Sequence, residues 1–317
     1  MRAVGVDLGA TNARAALIDV GAGKVLAETK RPWTDRAPET VSAIVGAVVR
    51  EIDPKHERVG VGVGFAGMLR GWSGVVVIAP NFGWREVDFR KMLRAEVGER
   101  TELYNDLNAI AYGEAQYGGA RGIKDVLCVY VGTGVGGGIV ANGELYAGAT
   151  HLGGEIGHTK VVPNGRQCGC GMRGCLEAYA SGRNIQKRAQ EELRGGERSL
   201  AVELAGGIDN VHAGFLDEAA RRGDVYAGQL WEEVSTLLGM VLANAVTLLN
   251  PSRLVMGGGV WKGAPELGRR SIARLYEFVN QPSREDFEVV DTALGDGAGM
   301  LGAAALIAHA DRQGDAP

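Results

Sequence analysis

No run of five like charges occurs anywhere in this 317-residue chain. Its 34 Lys and Arg stand against 38 Asp and Glu, a net charge of −4, so there is no basic footprint for a polyanion and nucleic acid is not an expected partner. A long apolar run is missing too. The longest uncharged stretch, residues 234–252, carries Asn244, Asn250, Pro251 and several hydroxyls, which suits a buried helix running into a strand better than a membrane span. Asp7 falls too early for the apolar region of a secretory signal, so a cytoplasmic location without a membrane anchor is expected. The phosphate-binding pattern G-x-x-x-x-G-K-[ST] does not occur, which excludes the common P-loop as a nucleotide cradle. Cysteine is scarce, with four residues, and a disulfide framework is not expected in that setting.

What is present is glycine, 50 residues or about 16% against a usual 7%, gathered in short strand-turn-strand segments. The length leaves room for two domains, each with its own core. Short strands are predicted at 3–8, 13–18 and 24–31, followed by a helix over 38–52, a strand at 58–65, a helix near 86–97, a strand at 101–104 and a helix over about 107–117. From Asp125 the layout of strand, glycine turn, strand repeats. Helices are then predicted near 176–194, 209–221, 224–249, 264–279 and 297–310, with strands at 253–257 and 287–291. Two α/β domains of related plan account for this order.

The segment Gly132-Thr133-Gly134-Val135-Gly136-Gly137 matches the dinucleotide pattern G-x-G-x-x-G, but that fingerprint needs a helix to open at its third glycine. Here the sequence continues as a strand into an Asn142-Gly143 turn. A glycine hairpin can still present backbone N–H groups to phosphate oxygens, and Gly9, Thr11 and Asn12 could do the same at the first hairpin, with Asp7 beside them to hold Mg²⁺ directly or through water. Gly257-Gly258-Gly259 forms a third cluster at a strand end. The plainer reading of each single turn is that glycine supplies positive φ.

His158, Cys168, Cys170 and Cys175 form a Cys₃His set with C-x-C-x₄-C spacing in a glycine-rich segment. Three thiolates and an imidazole match the preference of Zn²⁺ and fill a tetrahedral shell, so the site would be closed and structural. Reduced thiols without metal are the alternative. Cys128, in an apolar strand, reads as a small core residue.

The combination of DLGATN at 7–12, VGTGVGGGIVANGELYAGATHLGGEIGH at 131–158 and CGCGMRGCLEAYAS at 168–181 resembles the ROK family of sugar kinases and repressors. The resemblance spans essentially the whole chain. It implies an actin-like, ribonuclease-H-like α/β fold of two related domains with the active site in the cleft between them, expected as residues 1–105 plus about 297–317, and 106–296. It also implies a structural zinc, a homodimer, and ATP-dependent phosphorylation of a hexose. On this resemblance Asp106 in YNDLNA is the catalytic base, while Gly67, Asn81, Asn105, Asp106, Glu155, His158 and Glu177 bind the sugar. Asp7, Gly9, Thr11, Asn12, Gly132, Thr133, Gly134, Gly257, Gly258 and Gly259 would serve Mg-ATP, and His158, Cys168, Cys170 and Cys175 the zinc. For Asp106 and Glu177 the plainer alternatives are a helix N-cap and a first-turn acid.

Asn12 replaces the family's usual lysine, Ala10 a glycine and Ala66 the proline of the G-x-P-G stretch. Glucose is the first expected acceptor, with an N-acetylhexosamine or mannose as alternatives. The family's repressors carry a DNA-binding segment ahead of the first glycine turn, where this chain has six residues before Asp7. A non-catalytic sugar-sensing regulator is the reading from a different class, and an intact Asp7, Asp106 and both glycine turns speak for catalysis.

Overall fold

A computed structural model describes residues 1–9 and 11–313. The first strands are β1 (Arg2–Leu8), β2 (Asn12–Asp19) and β3 (Lys24–Pro32), an antiparallel meander. Helix α1 (Pro38–Ile52) leads to β4 (Val61–Phe65), then to β5 (Met68–Arg70), β6 (Val75–Ala79) and β7 (Trp84–Asp88). Next come α2 (Phe89–Val97), β8 (Thr101–Asn105), α3 (Asp106–Tyr117), β9 (Val126–Val131), β10 (Val135–Ala141) and β11 (Glu144–Leu145). The remainder is largely helical: α4 (Glu177–Ala180), α5 (Gly182–Arg194), α6 (Leu200–Ala205), α7 (Ala213–Arg221), α8 (Val225–Leu249), β12 (Arg253–Gly257), α9 (Gly259–Gly263), α10 (Pro265–Phe278), β13 (Glu288–Asp291) and α11 (Ala298–Gln313).

Two five-stranded sheets run in the orders β3-β2-β1-β4-β8 and β11-β10-β9-β12-β13, with a third small sheet β5-β6-β7. The related orders realise the duplication expected from the repeated strand-turn-strand layout. The chain divides into two compact units, one of Met1–Cys128, Gly138–Gly154 and the chain from Thr292 onward, the other of Val129–Gly137 and Glu155–Asp291.

In the first unit the core under the sheet is apolar and closely filled, with Val4, Val6, Leu8, Val45, Val49, Val63 and Phe65 all buried. Helix α11 lies so close to the opposite face that a Cβ on Gly5 would overlap the carbonyl of Met300, and one on Gly62 that of Ala303. Only glycine permits that approach. The same device joins α11 to α3, where a Cβ on Gly302 would overlap the Ala109 carbonyl. For this reason α3 packs within the first unit, whereas the expected division at 105/106 put it in the second. The fully buried Glu114 carboxylate of α3 accepts from the N–H groups of Gly119 (2.7 Å), Ala293 (3.2 Å) and Leu294 (3.1 Å) and from the Thr292 hydroxyl. A buried polar side chain is tolerable only with such partners, and here it anchors the segment between β13 and α11.

Several expected elements have different bounds. Sheet β5-β6-β7 occupies residues for which no strands were expected, and the helix expected near 86–97 starts at Phe89, where the Asp88 side chain accepts from the Lys91 N–H. The helix expected over 176–194 is broken at Ser181: the Gly182 N–H donates to the Gly132 carbonyl at 2.8 Å instead of continuing the helical ladder, and Ser181 caps the new helix through Asn184. The helix expected over 209–221 starts at Ala213, and α6 was not foreseen.

Among the described residues α8 is long and apolar enough to cross a membrane by length and composition. Its Trp231, Val234, Leu238 and Leu242 are nevertheless buried inside the second unit, and Asn250 in the left-handed region turns it into β12. That is the helix-into-strand reading of residues 234–252.

Candidate functional site

In the first unit, β1 carries Asp7 into register opposite Arg14 on β2. Burial pushes the Asp7 carboxyl above the usual carboxylate range; Arg14 works against that shift and Asp296 reinforces it. Arg14 also donates to the Asp296 carbonyl and carboxylate, both at 3.3 Å. The hairpin between β1 and β2 is held by the Gly9 N–H donating to the Asn12 carbonyl at 3.1 Å, and the Asn12 amide donates to the Thr11 hydroxyl at 2.8 Å. Ala10 lies outside the described residues.

Asn105 and Asp106 sit where β8 passes into α3. The plainer alternative for Asp106 was the helix cap, but Asn105 does that work: its Oδ1 accepts from the N–H groups of Leu107 (3.0 Å) and Asn108 (3.2 Å). Asp106 is instead the first residue of the helix, its Oδ1 accepting from the Leu107 N–H at 2.9 Å. A carboxylate there is favoured by the helix dipole. The other end of the Asn105 amide donates to the Gly67 carbonyl at 3.2 Å, which ties the turn after β4 to the start of α3. A Cβ on Gly67 would meet the Phe65 ring at 2.8 Å and the Ile78 carbonyl at 3.1 Å. Ala66, which stands in the family's proline position, directly precedes this crowded glycine. Loss of a side-chain cap costs about 1 kcal/mol, so Asn105→Ala should lower unfolding stability by that amount in a denaturant titration, while Asp106→Ala should cost less.

Asn81 is half-buried in the loop between β6 and β7, its carbonyl accepting from the Arg36 guanidinium at 2.5 Å. The Trp33 indole N–H donates to the Gly9 carbonyl at 3.0 Å. Neither Trp33 nor Arg36 was singled out from sequence, because their partners lie 24 and 45 residues away.

In the second unit, β9 ends at Val131 and β10 begins at Val135, so the glycine pattern opens a strand and not a helix, as its context required. The turn is closed by the Gly132 N–H donating to the Gly134 carbonyl at 2.9 Å. Gly258, at φ +98°, packs against it so closely that a Cβ would overlap the Val131 carbonyl, and Gly259 N lies 3.6 Å from where a Gly132 Cβ would stand. The backbone of Gly258 and Gly259 thus packs against the glycine turn, while Gly257 is buried against the Tyr130 ring. Glu177 opens α4, and its Oε2 accepts from the Val135 N–H at 3.0 Å.

His158, Cys168, Cys170 and Cys175 place one donor atom each within 4.8 Å of one another. Cys170 Sγ and Cys175 Sγ are 3.7 Å apart, and Cys168 Sγ lies 3.8 Å from His158 Nδ1. Zinc–sulfur bonds of about 2.3 Å imply tetrahedral edges near 3.8 Å, so the four side chains present fit that ion. Lys160 Nζ, 2.8 Å from Cys175 Sγ, adds a positive charge beside the thiols. The other imidazole nitrogen, Nε2, is 3.8 Å from Glu155 Oε2. Burial raises the Glu155 carboxyl above its ordinary range; His158 offsets this in part and Glu177 adds to it. Cys168 Sγ in turn lies 3.7 Å from Glu177 Oε1, so the acid that holds the glycine turn also touches the thiol cluster. Cys128 is fully buried, and burial pushes its thiol well above the ordinary range, as suits a small core residue.

The family model of the ROK family matches residues 3–310. The chain belongs to the ROK family. A glucokinase of Streptomyces coelicolor is 34% identical over 313 residues, covering 97% of this chain and 98% of that protein. A ROK family glucokinase from Streptomyces griseus, solved in complex with glucose and AMPPNP, superposes with a TM-score of 0.79 at 33% identity, covering 96% of this chain and 99% of that one. The family also holds regulators: a putative xylose repressor of a Caldicellulosiruptor species is 30% identical over 272 residues, 85% of this chain and 67% of that protein. The actin-like α/β architecture of ROK proteins is thus the architecture of this chain.

Proposed function

We propose that the protein is a hexose kinase that transfers the γ-phosphate of ATP to the 6-hydroxyl of glucose. The observation that carries this reading is the division of labour at the start of α3. Asn105 supplies the cap, so a cap does not account for the Asp106 carboxylate. In the proposed reaction Asp106 takes the proton of the sugar 6-hydroxyl as that oxygen bonds to the γ-phosphorus, and the bond to the β-phosphate oxygen breaks to release ADP. The N–H groups of the two glycine hairpins would take the phosphate charge, with Gly257 to Gly259 near the adenosine. Asp7 would hold Mg²⁺, which supplies charge neutralisation on the phosphates when bound.

His158, with Nδ1 turned toward the thiols, would hold zinc through that atom and leave Nε2 to the sugar alongside Glu155. Carboxylates and amides suit a polyol because each can engage more than one hydroxyl. Gly67, Asn81, Asn105 and Glu177 complete the proposed sugar set, Asn105 and Glu177 mainly by fixing the backbone on which it stands.

A coupled ADP-release assay with Mg-ATP against glucose, mannose, fructose, N-acetylglucosamine and N-acetylmannosamine tests the reading. Turnover dominated by glucose is the expected result. Preference for an acetamido sugar or mannose would keep the base and reassign the acceptor. Absence of turnover with retained sugar binding would favour a regulator.

A further inference from the structure

Residues 33–37 join β3 to α1 and make more polar contacts than a passive connection needs. The Trp33 N–H donates to the Thr11 carbonyl at 3.1 Å and its indole N–H to the Gly9 carbonyl at 3.0 Å. Its ring meets that of Phe82 edge-on, centroids 5.8 Å apart at 69°. Phe82 stacks on Phe65 at 5.0 Å and packs on Trp84 at 4.9 Å, all three buried. At the far end the Arg36 guanidinium donates to the Asn81 carbonyl at 2.5 Å, while the Arg36 carbonyl accepts from the Trp84 indole at 2.7 Å. Between them Asp35 stiffens the connection, accepting from the Ala37 N–H at 2.7 Å and the Thr40 hydroxyl at 3.0 Å.

We infer that residues 33–37 are a strap that couples the two substrate sites of the first unit, with Trp33 and Arg36 as positioning residues. The inference rests on the proposed function, in which Gly9 and Thr11 serve the ATP phosphates and Asn81 the sugar. One end of the strap holds carbonyls of the first hairpin, and the other holds the carbonyl of Asn81. A sugar that draws the Asn81 loop into place acts through Arg36, Asp35 and the packed Trp33 and Phe82 rings on the orientation of the Gly9 and Thr11 peptides. The hairpin backbone then meets the phosphates without a separate ordering cost, and binding of either substrate tightens binding of the other by the same factor.

The test measures the affinity for glucose with and without a non-hydrolysable ATP analogue and Mg²⁺, in the wild type and in Trp33→Phe. Phenylalanine keeps the ring on Phe82 and removes only the indole N–H. The wild type is expected to bind glucose more tightly when the analogue is present. Trp33→Phe should weaken that enhancement on the order of 3- to 10-fold, the range for loss of one hydrogen bond, and raise KM for ATP in proportion, with glucose affinity in the absence of nucleotide unchanged. Arg36→Ala cuts the strap at its other end and should show the same loss, and it carries the test if Trp33→Phe does not fold. The double variant should be no worse than either single one, since a chain broken once transmits nothing. Unchanged enhancement in both variants, additive losses, or a wild type that turns over glucose without any enhancement would overturn the strap alone. A wild type that neither binds nor phosphorylates any sugar would overturn the kinase reading and the strap with it.

Discussion

Asp106→Asn should lower hexose-dependent ADP release by about 10²- to 10⁴-fold, the usual contribution of a general base, or about 3–5 kcal/mol of barrier at 1.36 kcal/mol per decade. The structure makes this substitution informative. Asparagine keeps the shape of the side chain and an oxygen to accept from the Leu107 N–H, which Asp106 now engages at 2.9 Å. The helix cap is untouched, because Asn105 provides it. Thermal unfolding and glucose affinity should therefore match the wild type while turnover collapses. Retained turnover would reduce Asp106 to a helix-terminal acid and remove the main support for the kinase reading.

Removing the metal should have the second large effect. Cys175→Ser, or dialysis against a strong chelator, should release one zinc per chain and lower the unfolding midpoint, because zinc in a closed Cys and His site contributes on the order of 10 kcal/mol to the order of its loop. Backbone hydrogen bonds cross the loop, such as the Val161 N–H to the Gly174 carbonyl and the Cys168 N–H to the Met172 carbonyl, both 2.8 Å, but its apolar support is small. Its apolar cluster consists of Cys168, Cys175, Ala178 and Tyr179, with Val161, Val162, Cys170 and Leu237 at its edge, and two isolated bridges, Lys160 with Cys175 and Gln167 with Arg173, are its sheet-like pairing. Loss of order should also reach Glu177, which touches Cys168 and holds the Val135 N–H, so affinity for nucleotide should fall together with affinity for sugar. Reduced thiols without metal, the alternative left open by the spacing, would give no zinc by elemental analysis and no response to chelator.

The Cys₃His cluster was legible because three of its four members lie within eight residues, Cys168 to Cys175, a spacing that local chain geometry alone can close. The glycine hairpin was legible because the sequence after it continues as a strand into the Asn142-Gly143 turn, which removed the dinucleotide reading before any fold was known. The start of α3, expected at about 107, lies at Asp106, and Asn105 rather than Asp106 is its cap. Asn105 and Asp106 are both good caps by composition, and the path of β8 into α3, with Gly67 receiving the Asn105 amide, selects the first.

By itself the sequence determined the fold class, the two glycine hairpins, the Cys₃His cluster and the family, since each is written in residue types at short spacing or in periodicity along one segment. The tertiary structure alone decided where the helix near 181 breaks, which unit holds α3, what Glu114 and Glu177 bind, and that Trp33 and Arg36 join two loops. Each of these depends on a partner far along the chain: the Glu177 carboxylate meets an N–H 42 residues away and Glu114 meets one 180 away. Side chains and peptides brought together by packing leave no local pattern, because the fold, not the spacing, sets the distance between them.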